Sequence, residues 1–317
     1  GKNKRDNRQA VYFSRHAEKY GKIIFDRVSS GEFRWHKPRL KTITDSYKGK
    51  ARNLKIPCLE DQVVQLAWLA IATPYIERRN YYYNCGSIPK AGQTRCVDGL
   101  RKWLRNKRYK YGATSDIRKF YESCPHSAVR KGLRRIFKDK AFVEFAMGFV
   151  GSMSDDGVGI AIGYPSSHWL ANVVLMMIDH EIKRRFPQIK YTRYMDDVAM
   201  VSANKRQLRK ALDFLKEQIE SLGMHLKRWN LIVIKNHGLG FLSYRFFHKY
   251  TLLKKQLMIR IARRMKRAKD KMCLHVAYGV ISYFGILKRC DSYHFKTACV
   301  YPYINRRACI RMISESM

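Results

Sequence analysis

The sequence predicts an α+β fold in which a sheet packs on helices. Two β-rich runs, residues 191–193 and 198–201, flank Tyr194-Met195-Asp196-Asp197 and read as an antiparallel hairpin with a tight tip. Apolar residues recur at three- and four-residue steps over 60–79 and again at Leu208, Leu212, Leu215, Ile219 and Leu222, the period of a helix with one buried face. Strand-like segments are interspersed among these helices along the chain.

In chain order, residues 1–50 are basic and broken by turn residues (Ser29-Ser30-Gly31, Lys37-Pro38), with an early helix over 7–20. The helix over 60–79 follows, and the turn-rich Gly86-Ser87-Ile88-Pro89-Lys90-Ala91-Gly92 precedes a helix over 97–104. Residues 109–115 read as a strand ending at Asp116, succeeded by helices over 126–137 and 141–153 and a turn at Ser154-Asp155-Asp156-Gly157. A long apolar helix over 166–185, the hairpin, and the helix over 205–222 come next, and strands over 231–234 and 241–247 complete the sheet. Beyond Leu252 the chain reads as helical and very basic. Asp116 and Tyr121 stand at opposite strand parities, so the chain is expected to bend between them.

The 317 residues carry 64 Lys and Arg against 25 Asp and Glu, a formal net charge of +39 spread along the whole chain. Ordinary soluble domains stay within a net charge of about 8, so a polyanion is the expected partner, nucleic acid first. Hydrophobic residues make up 46%, which excludes wholesale disorder. No apolar run reaches the roughly 20 residues that span a bilayer, and no apolar leader opens the sequence, so no membrane is expected and a cytoplasmic location is. The eight cysteines form no Cys-x-x-Cys pair and none sits beside His at zinc-ligand spacing, so reduced thiols are expected.

Against that charge, Asp116, Asp196 and Asp197 are conspicuous. Adjacent carboxylates in an apolar strand context need a cation to offset their repulsion. Brought together, Asp116 and Asp196 would bridge two Mg²⁺ ions, with Asp197 assisting and Mn²⁺ able to substitute. Such a pair activates an attacking oxygen and stabilises a leaving one in phosphoryl transfer. Asp155-Asp156-Gly157 has the look of an exposed turn and is given no metal role.

Five ordered blocks resemble reverse transcriptases. They are Arg52-Asn53-Leu54-Lys55-Ile56-Pro57 with Asp61-Gln62-Val63-Val64-Gln65, then Ser115-Asp116-Ile117-Arg118-Lys119-Phe120-Tyr121, then Gly159-Ile160-Ala161-Ile162-Gly163-Tyr164-Pro165-Ser166-Ser167. Tyr194-Met195-Asp196-Asp197 and Gly240-Phe241-Leu242-Ser243-Tyr244-Arg245 complete the set. The resemblance runs from about Arg52 to near Lys271 and lies with bacterial enzymes of the diversity-generating-retroelement, defence-associated, retron and group II intron-like groups. It implies a right-hand polymerase: fingers over 1–110, an antiparallel palm over 111–250 with a helical excursion at about 126–153, and a helical thumb over 251–317.

By that resemblance the chain makes cDNA from an RNA template, using dNTPs and a DNA or RNA primer. The Ile117 carbonyl is an additional metal ligand. Lys50 and Arg52 grip the incoming triphosphate, with Lys55 a third option, and Tyr121 excludes a ribose 2′-hydroxyl unless Phe120 faces the site instead. Gly163 and Ser167 lie along the nucleic acid. The thumb residues Lys254, Lys255, Arg260, Arg263, Arg264 and Arg267 contact duplex phosphates. Lys227 or Lys235 is a candidate acid for the leaving pyrophosphate. Many relatives have Gln where this chain has Ile162; loss of that amide predicts error-prone synthesis. Where the family usually has Ser-Gln, this chain has Ser167-His168.

The length leaves no room for an RNase H or nuclease domain, so a stand-alone polymerase is expected, with a structured RNA partner and an accessory protein. The setting is a diversity-generating retroelement or an antiphage defence system, with retrons lower. Three alternatives stay open: an RNA-synthesising enzyme, a template-independent nucleotidyltransferase, and a non-catalytic RNA-binding or splicing cofactor.

Overall fold

A computed structural model describes residues 8–44, 51–89 and 91–316. The chain threads back and forth between two compact units. One comprises the described residues up to Ile88 with Ile117–Arg184 and Phe214–Leu226; the other comprises Pro89–Asp116, Arg185–Asp213 and the described residues from Lys227 onward.

The first unit opens with α1 (Arg8–Arg15) and α2 (Ala17–Ser29), which meet at His16. The sequence reading had a single helix over 7–20; the helical stretch is broken there and runs on nine residues further, to Ser29. A hairpin follows, β1 (Arg39–Thr44) against β2 (Ala51–Ile56), antiparallel from Arg39↔Ile56 to Thr44↔Ala51. Next comes α3 (Leu59–Arg79), with Val64, Trp68, Ala72 and Ile76 buried at four-residue steps. Trp68 stacks on Phe142 at 5.2 Å and meets Phe149 edge-on at 5.4 Å.

The second unit begins with α4 (Gly92–Leu104) and β3 (Tyr111–Ser115). The first unit resumes with α5 (Phe120–Ser123), α6 (His126–Ile136), α7 (Lys140–Gly151) and α8 (Ser167–Arg185). The expected bend after Asp116 is there: Lys119 takes a left-handed φ of 48°, and the chain enters α5 at Phe120. Asn172 of α8 donates to the Gly86 carbonyl at 2.7 Å and accepts from Asn84 at 3.2 Å, which pins the turn after α3.

The second unit then holds β4 (Lys190–Tyr194) and β5 (Asp197–Ser202), and α9 (Lys205–Glu220) is shared along its length between the two units. With β6 (Asn230–Val233), the strands form an antiparallel sheet of order β4-β5-β3-β6. After α10 (Ile234–His237), a separate sheet is built from β7 (Leu239–Phe241), β8 (Tyr244–Phe246) and β9 (Thr251–Leu253). This corrects the expected single strand over 241–247 in the main sheet. Leu242 adopts a left-handed φ of 50° and turns the chain back on itself, pairing Phe241 with Tyr244. The helices α11 (Lys255–Asp270), α12 (Leu274–Leu287), α13 (Tyr293–Cys299) and α14 (Arg306–Ser314) close the unit. α11 buries Leu257, Ile261, Met265 and Ala268, so its basic residues fall outside that stripe.

Helix α6 meets α8 at Gly132, where α6 has no side chain. A Cβ on Gly132 would stand 2.7 Å from Val173 Cγ1 and 3.0 Å from the Val173 carbonyl oxygen. The side chain can turn aside but the backbone cannot. Alanine favours a helix interior by about 1 kcal/mol over glycine, whereas overpacking costs about 1–3 kcal/mol. Gly132→Ala is therefore expected to lower the denaturation midpoint in urea, and Gly132→Val to lower it further; a raised midpoint for the alanine variant would contradict this packing.

Candidate active site

The second unit gathers the three sequence-predicted carboxylates at one end of its main sheet. β4 and β5 pair in register up to Tyr194↔Asp197, leaving Met195 and Asp196 as a two-residue loop. Met195 adopts a φ of 57°, where hairpins usually place glycine and an L side chain costs about 1–2 kcal/mol. Arg193 supports that strained tip. It is 1% exposed and donates from its guanidinium to the Met195 carbonyl at 2.7 Å.

β3 is the other neighbour of β5, and its last pair is Ser115↔Val198. Asp116 follows by one residue, on the line that leads to Asp197. Partners across antiparallel strands sit about 4.5–5.5 Å apart at Cα, so Asp116 arrives at the hairpin tip rather than elsewhere on the sheet. Its backbone carbonyl accepts from Lys227 N–H at 2.8 Å, and the Ser115 hydroxyl donates to the Lys227 carbonyl at 2.7 Å. The Lys227 ammonium then reaches Asp116 Oδ2 at 2.7 Å, with both side chains partly open to solvent. Of the two lysines considered as acids, Lys227 is the one beside a carboxylate; Lys235 lies on α10.

The electrostatics of the tip follow. Burial pushes the Asp196 carboxyl above its ordinary pKa, and the negative charge of Asp116 raises it further. A backbone hydrogen bond and the positive charges of Lys227 and Arg193 act in the opposite direction. Asp116 and Asp196 thus lie within electrostatic reach of each other, as a pair of ligands for shared cations must.

The first unit brings together a different set. Lys55 N–H donates to the Ile162 carbonyl at 2.9 Å, and Ile160 N–H donates to the Tyr121 carbonyl at 2.6 Å. The loop bearing Ile162 and Gly163 is therefore held between β2, which bears Arg52, and α5, which bears Tyr121. Gly163 has a φ of 119° and its α-carbon faces the Lys55 carbonyl, where a Cβ would come within 2.5 Å; only glycine fits. Phe120 is buried and Tyr121 half-buried, so Tyr121 is the ring with an open side. The Lys55 ammonium donates to the Met153 carbonyl. Ile117 buries its side chain and pairs through its backbone with Leu226. Lys50 lies outside the described residues.

One further expectation needs correction. Ser167 is 3% exposed and its hydroxyl donates to the Ala161 carbonyl, so it braces the loop and offers no side-chain surface to a nucleic acid. On α11, Arg260 lies over the Tyr283 ring at 6.0 Å, and Arg264 reaches within 3.2 Å of a Cβ position on Gly279; both lean on α12. Lys254, Lys255, Arg263 and Arg267 are exposed. Burial keeps the His168 imidazole below its usual pKa, so it is neutral at pH 7. Sequence reasoning missed Arg193 and gave Lys227 no preference over Lys235. Arg193, in the run flanking the hairpin tip, was the available signal.

Comparison with known proteins fits this geometry. The family described as reverse transcriptase (RNA-dependent DNA polymerase) matches residues 39–245, more than half of the chain. Protein YkfC of Escherichia coli (strain K12) is 22% identical, over 72% of this chain and 71% of that protein. Among solved structures, telomerase from Candida albicans in complex with the TWJ fragment of telomeric RNA aligns with a TM-score of 0.52 at 10% identity, covering 88% of this chain and 57% of that one. The corresponding complex from Candida tropicalis aligns with a TM-score of 0.51 at 12% identity, covering 88% and 60%. The chain thus spans less than two thirds of those telomerase chains, and the likeness concerns the fold. No described helix is long and apolar enough to cross a membrane. The chain belongs to the reverse transcriptase (RNA-dependent DNA polymerase) family.

Proposed function

We propose that the chain is an RNA-directed DNA polymerase whose chemistry is carried by Asp116, Asp196 and Asp197. The observation that carries this reading is the convergence of Asp116 with the β4–β5 tip in a member of this family. The donor set fits divalent magnesium: hard carboxylate oxygens, clustered, with a lysine ammonium at 2.7 Å standing where positive charge is wanted. Asp116 and Asp196 would hold two such ions, Asp197 assisting. When bound, the ions supply activation of the primer hydroxyl and neutralisation of the departing pyrophosphate.

The chain's own residues do the remainder. Arg193 fixes the hairpin tip, and Lys227 offsets the charge of Asp116. Arg52 binds triphosphate oxygens as a fork, Tyr121 excludes the 2′-hydroxyl by volume, and Ile162 faces the nascent pair without an amide to check its minor groove. The exposed Lys254, Lys255, Arg263 and Arg267 meet nucleic acid phosphates. In this reading residues up to about 110 act as fingers, 111–250 as palm and 251–317 as thumb. The template is RNA, in a retroelement or antiphage-defence setting, and synthesis is error-prone.

Incubation with a primed RNA template, Mg²⁺ and either dNTPs or NTPs tests the activity. Template-directed DNA is expected, reduced about 10³-fold or more in Asp196→Ala/Asp197→Ala, since a lost metal site removes several kcal/mol of transition-state stabilisation. Product of RNA or homopolymer, or full activity in the double variant, contradicts the reading. Sequencing the copied DNA tests fidelity: Ile162→Gln should make fewer errors opposite adenine, and an equal error frequency removes Ile162 from that role.

Stability gives an independent check. The folded-state pKa of Asp196 is raised, so its contribution is favourable below the unfolded pKa and is lost as pH rises through the folded value. With cations chelated at neutral pH, Asp196→Asn should therefore melt higher than the native chain while losing activity. The gap should close as pH falls below the ordinary carboxylate range. A lower melting point at neutral pH would contradict the electrostatic account.

A further inference from the structure

Asp61 is fully buried in a chain of 64 Lys and Arg residues, yet its side chain is met by a histidine. His36 donates its backbone N–H to Asp61 Oδ2 at 3.1 Å and sets its ring Nδ1 2.9 Å from Oδ1. The same Nδ1 lies 3.4 Å from the Cys58 Sγ. Ligand atoms of all three residues fall within 4.8 Å of one another. The one ring nitrogen thus faces a carboxylate oxygen and a sulfur at once, so three atoms able to ligate a metal lie together. The reading of the sequence found no cysteine near histidine at zinc spacing; the fold brings them together across 22 positions.

The surroundings hold these atoms in place. Cys58 is the N-cap of the 21-residue helix α3 and accepts the Asp61 backbone N–H at 3.5 Å, which fixes where its sulfur sits. Burial, joined by the Asp61 carboxylate, pushes the thiol pKa up, while backbone N–H groups of Asp61 and Glu60 draw it down. The upward push is the larger, so the sulfur stays a thiol until a cation displaces its proton. Asp61 Oδ2 is occupied by the His36 amide, which turns Oδ1 to the imidazole, the kind of outer hydrogen bond that orients metal ligands. Trp35, next in the chain, meets Phe145 at 5.6 Å and Phe149 at 5.4 Å, fixing the segment that bears His36.

We propose that His36 Nδ1, Cys58 Sγ and Asp61 Oδ1 bind one divalent cation of the zinc class, with water in the fourth position. Zinc bonds of about 2.0 Å to N and O and about 2.3 Å to S give tetrahedral edges of about 3.3–3.6 Å. The nitrogen–sulfur separation of 3.4 Å matches, and the nitrogen–oxygen one of 2.9 Å has to open by a few tenths of an ångström. On binding, the thiol proton and the Nδ1 proton leave to bulk water, the imidazole keeping or taking up its one remaining proton at Nε2. The sulfur and Nδ1 lone pairs form the bonds to the metal, with no change of oxidation state. Mixed nitrogen, sulfur and oxygen donors select zinc over magnesium, which prefers oxygen alone. His36 precedes β1 and Cys58 follows β2, so the ion ties both ends of the hairpin that bears Arg52. This site stands whether or not the polymerase reading does.

Co²⁺ titration of the full chain, with excess Mg²⁺ present, tests it through the near-ultraviolet thiolate-to-cobalt band, which a carboxylate site cannot give. A band saturating at about one equivalent and displaced by Zn²⁺ is expected. Cys58→Ser should abolish it and His36→Gln should weaken affinity about tenfold or more, both variants being checked for folding by circular dichroism without metal. No band in the native chain, or an undiminished one in Cys58→Ser, overturns the proposal. Should Cys58→Ser not fold, unchanged affinity in His36→Gln overturns it.

Discussion

The mutual repulsion of carboxylates gathered at one end of an antiparallel sheet is the constraint on which the second unit depends. Two like charges 4 Å apart cost about 4 kcal/mol at the effective dielectric of a protein surface, so such a group exists only where the backbone forces it and cations relieve it. Backbone pairing supplies the force: β3 and β4 both pair with β5, which brings Asp116 and the hairpin loop to the same end. The relief comes from Lys227 on Asp116, while buried Arg193 holds the Met195 carbonyl. A strained left-handed methionine at the tip is tolerated because its position in the register is fixed on both sides.

Much of this order was legible in the sequence. The helices α3, α6, α7, α8 and α9 fall within a few residues of the ranges read from the sequence, because α3, α6, α7 and α9 each bury one face and α8 is apolar and buried nearly all round. The main hairpin was legible for the complementary reason: β-rich runs on either side of a polar pair allow one geometry. What was illegible had no burial signal or no turn residue. Every residue of β1 is exposed, so nothing in its composition distinguishes it from a loop. The reversal between β7 and β8 runs through Leu242 and Ser243, without the glycine or asparagine that marks tight turns.

The candidate site divides in the same way. Asp116, Asp196 and Asp197 could be named from the sequence because carboxylates at strand ends are rare in so basic a chain. Their neighbours could not be ranked, since among 64 basic residues identity carries little information and position decides. Lys227 and Lys235 looked alike until β6 and the segment before it placed one beside Asp116. Ser167 was assigned to nucleic acid by pattern, yet tertiary packing turned its hydroxyl to Ala161. The convergence of His36, Cys58 and Asp61 lay beyond any spacing rule, because the β1–β2 hairpin separates the first from the other two.

The central claim is that Asp116 and Asp196 share a pair of cations, and Mn²⁺ electron paramagnetic resonance tests it most directly. With primer–template and a non-hydrolysable dNTP, the native chain should show two dipole-coupled Mn²⁺ ions about 3.5–4 Å apart, and Asp116→Asn should lose the coupling. Isolated Mn²⁺ alone in the native complex, or coupling that survives in Asp116→Asn, would contradict the account.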